Sequence, residues 1–185
     1  MYEDKRPCKL ISMLRIGIGY DSHRFSPQRT MWLGGVRIES EQGLAGHSDA
    51  DAALHALTDA ILGAIGAGDI GELFPDTDPR WHGQASSLFV ERAVELASEK
   101  GFGVINCDLT IITERPTLGP YKAEIRKNIA RLVGISDDRV GVKAKTNEGL
   151  GWIGRGEGLA VIAAVLLEGK NQLKKTPGPK GKRSR

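Results

Sequence analysis

The chain has 185 residues, 40% of them hydrophobic and 26% charged, which suits one compact domain with a real core. Its net charge of +3 is an end effect, because residues 170 to 185 hold seven Lys or Arg and no acid, residues 1 to 12 add +1, and residues 13 to 169 carry −5; an acidic body argues against nucleic acid as a partner. Two distant cysteines, Cys8 and Cys107, give neither a disulfide framework nor a metal-binding pair, and neither a long apolar run nor a signal-peptide core is present, so a cytoplasmic protein with no membrane partner is expected.

Three stretches follow from composition: a polar leader (1–12), a domain (13–169) and a basic, disordered tail (170–185). From Leu14 the run LRIGIGY places apolar residues at 14, 16, 18 and 20, the alternation of a half-buried strand. MWLGGVRI (31–38) reads as an extended segment with a Gly-Gly bend, able to pair with the first strand. Residues 48–65 carry Leu54, Leu57, Ile61 and Ile65 at helical spacing, with Ser48 as candidate N-cap and Asp51 three positions on. The stretch 68–83 is too polar and punctuated for regular structure. A helix is predicted over 85–100, with Leu88, Val94 and Ala97 on one side and Gly101 as its stop. A strand follows over 104–112, a helix over 118–133 ending at Gly134, and a strand over 139–145. LAVIAAVLL (159–167) suits a central strand buried on both faces. The fold class is therefore α/β (α+β), a single mixed β-sheet covered by helices.

The chemistry gathers in three places. Asp21-Ser22-His23 follows the first strand, and continued extended geometry would project Asp21 and His23 from one face. By itself such a pair is more often an exposed loop. The 48–65 helix adds His55 between Asp51 and Asp59 at spacing four. Asp21, His23 and His55 have the composition of a catalytic zinc site with an open fourth position, and Asp51 or Asp59 is placed to orient His55 by accepting its free N–H. The plain alternative is a solvated helix face holding one histidine. His47 and Ser48 lie at the helix start, where an anion is favoured. KAKTNEGLGWIGRGEG (143–158) brings Lys145, Thr146, Glu148 and Arg155 among glycines beyond a strand. Such a segment can meet phosphates and a hard Mg²⁺ ion, or be a glycine-rich surface hairpin.

Taken together, RIGIGYDSHRF, LGGVRI, GLAGHSDADAALHALTDAILGA, GDIGELFPDTDP, DLTII, VKAKTNEGLG and GRGEG resemble, in collinear order, the cyclodiphosphate synthase family of the non-mevalonate isoprenoid pathway. The resemblance implies a trimer-forming fold and a reaction in which the 2-phosphate of 4-diphosphocytidyl-2-C-methyl-D-erythritol 2-phosphate attacks its own β-phosphorus, releasing CMP. It implies Zn²⁺ on Asp21, His23 and His55, and a second divalent ion, Mg²⁺ or Mn²⁺, on Glu148. His47 and Thr146 match the residues that handle the transferring phosphate. Asp69, Ile70 and Gly71 with Phe74, Pro75, Asp76, Thr77 and Asp78 match the loop over the sugar and methylerythritol hydroxyls. Thr113, Glu114, Arg115, Pro116, Thr117, Leu118 and Gly119 match the cytosine pocket. Ser22, Ser48, Lys145, Asn147, Trp152 and Arg155 complete the implied substrate surface. Active sites between the subunits of a homotrimer are implied as well. A zinc phosphate-ester hydrolase and a non-catalytic binding protein are the rival readings.

Overall fold

The computed structural model describes residues 13–46, 48–75, 77–78, 80–81 and 83–170; the leader and residues 171–185 lie outside the described residues. In chain order the strands are β1 (Leu14–Pro27), β2 (Met31–Leu33), β3 (Val36–Ile38), β4 (Gln42–Leu44), β5 (Phe102–Ile112), β6 (Val140–Lys145) and β7 (Gly158–Gly169). The helices are α1 (Ala52–Ala64), α2 (Ile70–Leu73), α3 (Ser86–Glu99), α4 (Lys122–Val133) and α5 (Gly151–Gly154). The main sheet runs β4-β1-β7-β5-β6, with β5 and β6 parallel and the other neighbours antiparallel. Helices α1, α3 and α4 pack on one face of it, so the single mixed sheet expected from the sequence is present.

β2 and β3 pair with each other as a separate hairpin, whereas β1 pairs with β4 and β7; the pairing of 31–38 with the first strand is thus corrected. The cause is the Gly34-Gly35 turn. Both residues have positive φ (62° and 73°), the conformation of a two-residue turn that folds a chain directly back on itself. The hairpin is then fastened by Asp51. Its Oδ1 accepts from the N–H groups of Gly34 (2.8 Å), Ala53 (3.1 Å) and Leu54 (3.1 Å), and its Oδ2 accepts from Gly35 (2.6 Å). Asp51, completely buried, is therefore the N-cap of α1 in place of Ser48.

The alternation in β1 marks a strand, but the buried face is the opposite one. Leu14, Ile16, Ile18 and Tyr20 are exposed, Ile16 by 70%. The face turned to the core carries Gly17 and Gly19, which lie directly under α1. A Cβ on Gly17 would stand 1.9 Å from the Ala60 carbonyl oxygen, and one on Gly19 the same distance from that of Ala56. Helix and strand backbones touch because no side chain separates them. Leu54, Leu57, Ile61 and Leu62 of α1 are fully buried, each contributing about 1.5–3 kcal/mol through apolar burial.

Other expectations shift more modestly. On α3 the buried residues are Ser86, Phe89, Val90, Ala93 and Ala97, while Leu88 is exposed. The 68–83 stretch contains α2, capped by the Asp69 side chain. β7 lies centrally, but Ile162 is exposed and Ala164 and Leu166 are half-buried, so only its helix-facing side is sealed.

Replacing Gly19 with Ala should lift α1 from β1 and cost about 1–3 kcal/mol or more, the usual penalty for forcing a methyl into a packed interior. Denaturant unfolding checks this, and an unchanged midpoint would contradict the contact.

Candidate functional site

The close approach of α1 to β1 decides where three side chains meet. Asp21 and His23 continue the helix-facing side of β1 two and four residues beyond Gly19, and His55 faces them from the first turns of α1. Asp21 Oδ2 lies 2.9 Å from His23 Nε2 and 3.2 Å from His55 Nδ1, and the two imidazole nitrogens are 3.3 Å apart. Ligand atoms about 2.0–2.1 Å from a tetrahedral ion are separated by about 3.3 Å, so the triangle fits one ion with a corner left open. Among the described residues this is the cluster of His, Cys, Asp and Glu able to hold a metal ion.

The charges agree with that purpose. Burial works against ionised Asp21, but the His23 and His55 rings beside it hold its carboxyl far below the usual carboxylate range. Burial likewise disfavours protonated His23, yet its bond to Asp21 outweighs this and raises its pKa. The Ala45 backbone beside the ring pushes the pKa the same way.

Neither Asp51 nor Asp59 orients His55, contrary to the expectation from their spacing. Asp51 is occupied by the cap and the hairpin. Asp59 Oδ1 accepts from Ile70 N–H at 2.8 Å, which fixes the start of α2 beside the site. His55 Nε2 instead meets Ser86 Oγ at 2.8 Å, and Ser48 Oγ stands at 3.3 Å. Ser86 in turn contacts Asp49 twice, through its hydroxyl to Oδ1 and through its N–H to Oδ2 at 3.0 Å. Sequence reasoning missed Ser86 and Asp49, since a serine opening a helix reads as a cap and nothing local connects it to a histidine 31 residues away.

A cavity of about 360 Å³ opens beside the triad, lined by Asp21, His23, His55, Gly46, Ser48, Ile70, Gly71, Phe74, Pro75, Thr77, Trp81 and Phe89. One wall is aromatic: Phe74 lies 4.8 Å from Phe89 and 5.1 Å from Trp81, ring centre to ring centre. Trp81 and Phe89 were not foreseen. Arg29 donates to the carbonyls of Gly46 and Ser48 and so clamps the loop above. Asp69 caps α2 and Asp78 pairs with Arg80. Ser22 points away from the triad, on the exposed side of β1. His47 and Asp76 lie outside the described residues.

The remaining predicted residues gather elsewhere. A second cavity, about 810 Å³, is lined by Glu114, Arg115, Pro116, Thr117 and Arg155 together with Phe25, Ser40, Glu41, Gln42, Gly154 and Gly156. Glu114 Oε1 accepts from the N–H groups of Asn147 (2.9 Å) and Gly149 (3.2 Å), and Thr146 Oγ1 donates to Glu148 Oε1 at 2.7 Å. Thr113 is bound to the Lys145 carbonyl, which joins this loop to the end of β6. Leu118 is buried in the core, Gly119 is exposed, and Trp152 is half-buried in α5. The triad cavity includes none of 113–119 or 145–155 in its lining. Within the described chain the predicted residues thus form two groups.

The YgbB family model matches residues 14–168. A bifunctional enzyme IspD/IspF of Caulobacter vibrioides is 53% identical over 154 residues, 83% of this chain and 40% of that protein. A 2-C-methyl-D-erythritol 2,4-cyclodiphosphate synthase of Symbiobacterium thermophilum is 52% identical over 155 residues, covering 84% of this chain and 99% of that one. The chain thus spans about 40% of the bifunctional relatives and nearly all of the single-function ones. A solved 2C-methyl-D-erythritol-2,4-cyclodiphosphate synthase in a CDP-bound form is 44% identical, with a TM-score of 0.78 over 83% of this chain and 99% of that chain.

Removal of one corner of the triangle should abolish metal retention. His55→Ala is expected to hold no divalent ion through exhaustive dialysis while the unaltered chain keeps close to one per chain, as measured by elemental analysis. Equal metal content in both would rule the triad out.

Proposed function

The chain belongs to the YgbB family, and on that premise we propose that it converts 4-diphosphocytidyl-2-C-methyl-D-erythritol 2-phosphate into 2-C-methyl-D-erythritol 2,4-cyclodiphosphate and CMP. The observation that carries the reading is the three-donor triangle of Asp21, His23 and His55 beside a cavity with an aromatic wall. A phosphate nucleophile tethered to its own electrophile needs alignment and charge neutralisation more than a general base.

Each group of residues has a part in that alignment. Asp21, His23 and His55 hold Zn²⁺, and Glu148 with the substrate phosphates holds Mg²⁺ or Mn²⁺; when bound, the ions act as Lewis acids and neutralise developing charge. Thr146, bonded to Glu148, keeps that carboxylate in place, and Thr146 and His47 are the residues assigned to the transferring phosphate. Phe74, Trp81 and Phe89 exclude water that would compete with the tethered phosphate. The 113–119 loop reads the cytosine, and Arg155 in the same cavity meets the diphosphate.

One chain does not bring these parts together, and its surface suggests what does. Leu14, Ile16, Ile18 and Tyr20 make an apolar strip along β1, continued by Ile162 of β7, and contiguous exposed apolar surface marks an association site. Three copies closing around this face form a homotrimer, in which the triad of one chain meets the Glu148 group of its neighbour. Complementation tests this. Neither His55→Ala nor Glu148→Ala protein alone should turn over substrate, whereas unfolding and reassembling an equal mixture should restore about a quarter of the sites in a closed ring. Phosphorus NMR of the product distinguishes CMP with cyclic diphosphate from the free phosphate that a hydrolase would give. A silent mixture, with unaltered protein recovering under the same treatment, would end the shared-site reading.

A further inference from the structure

We infer that Ser86 is a positioning residue for the metal site, anchored by Asp49, and that it fixes His55 with its proton on Nε2 and its lone pair on Nδ1. This rests on the reading that Asp21, His23 and His55 hold a divalent ion, and it assigns work to two residues outside that set.

A serine hydroxyl can donate or accept, so the 2.8 Å contact between Ser86 Oγ and His55 Nε2 does not by itself say which atom carries the proton. Asp49 decides it. A carboxylate only accepts, and Asp49 Oδ1 lies against the Ser86 hydroxyl, so the hydroxyl proton points to Asp49. Ser86 Oγ then has only lone pairs to offer His55, and Nε2 must be the protonated nitrogen. Nδ1, which lies 3.2 Å from Asp21 Oδ2 and 3.3 Å from His23 Nε2, is left bare toward the centre of the triangle. Without this arrangement the His55 ring is free to carry its proton on the nitrogen that must face an ion.

Asp49 is itself held from two sides. It accepts the Ser86 N–H at 3.0 Å and the Asp51 N–H at 3.3 Å. The first of these stands in for a cap on α3, whose own N-cap residue, Ala85, makes no side-chain bond. The Asp49–Ser86 pair therefore has a structural duty too, and that duty separates cleanly from the proposed one. The N–H bond that caps α3 survives a Ser86→Ala change, while the hydroxyl between Asp49 and His55 does not. Ser48 Oγ, farther away at 3.3 Å from the same nitrogen, is a weaker substitute.

The experiment uses the full chain. Ser86→Ala should bind Zn²⁺ roughly ten- to a hundredfold more weakly in competition with a chromogenic chelator, the usual effect of removing the partner of a metal-bound histidine, while its metal-free melting temperature moves by no more than a few degrees. Independently of any variant, nitrogen-detected NMR of the unaltered, histidine-labelled, zinc-loaded chain should show His55 protonated on Nε2 and metal-bound through Nδ1. A Ser86→Ala chain holding Zn²⁺ as tightly as the unaltered chain overturns the inference and leaves the metal site standing, whereas a zinc-loaded chain with His55 protonated on Nδ1 overturns the inference and the His55 corner of the triangle together. An unaltered chain that binds no Zn²⁺ overturns both.

Discussion

The structure depends on a contact with no side chain in it. Gly17 and Gly19 let the carbonyls of Ala56 and Ala60 settle onto β1, and this sets the depth at which α1 lies on the sheet. Asp21 and His23 extend from the same strand just past that contact, and His55 faces them from the helix. A ligand triangle with edges near 3 Å requires helix and strand to be positioned within a few tenths of an ångström. Backbone against backbone achieves this because neither partner has rotamers to choose among.

Electrostatics completes what packing begins. Three donor atoms crowded into one corner would repel if all presented lone pairs; in the described chain Asp21 shares a hydrogen bond with His23, and the Asp21 carboxyl is held low while His23 is pushed up. Beside them His55 is engaged by Ser86. The aromatic wall on the other side adds little polarity, so charge placed in the cavity is screened mainly by the triad.

Much of this was legible in the chain, for local reasons. The Asp-Ser-His spacing at a strand end and a histidine on the polar side of an amphipathic helix are short-range patterns, and the structure brings them together. What was misread depended on contacts distant in sequence. Alternation in β1 shows a strand but not which side is covered, because glycines on the other side reveal themselves only when a helix lands on them. Ser48 looked like the cap since it precedes the helix, yet Asp51 holds both the helix start and a hairpin 16 residues earlier. Ser86 and Asp49 were invisible for the same reason, as their partners are brought near only by the packing of α3 on α1.

The Asp51 carboxylate has a dynamic consequence. Four backbone N–H groups, two in the Gly34-Gly35 turn and two in the first turn of α1, share this single acceptor. Opening either element strips two donors from a buried carboxylate that the other still holds, and an under-satisfied buried charge is costly. Hairpin and helix start therefore form one cooperative unit, and their amides exchange with solvent at a common free energy set by this junction and not by the separate stability of a three-residue strand.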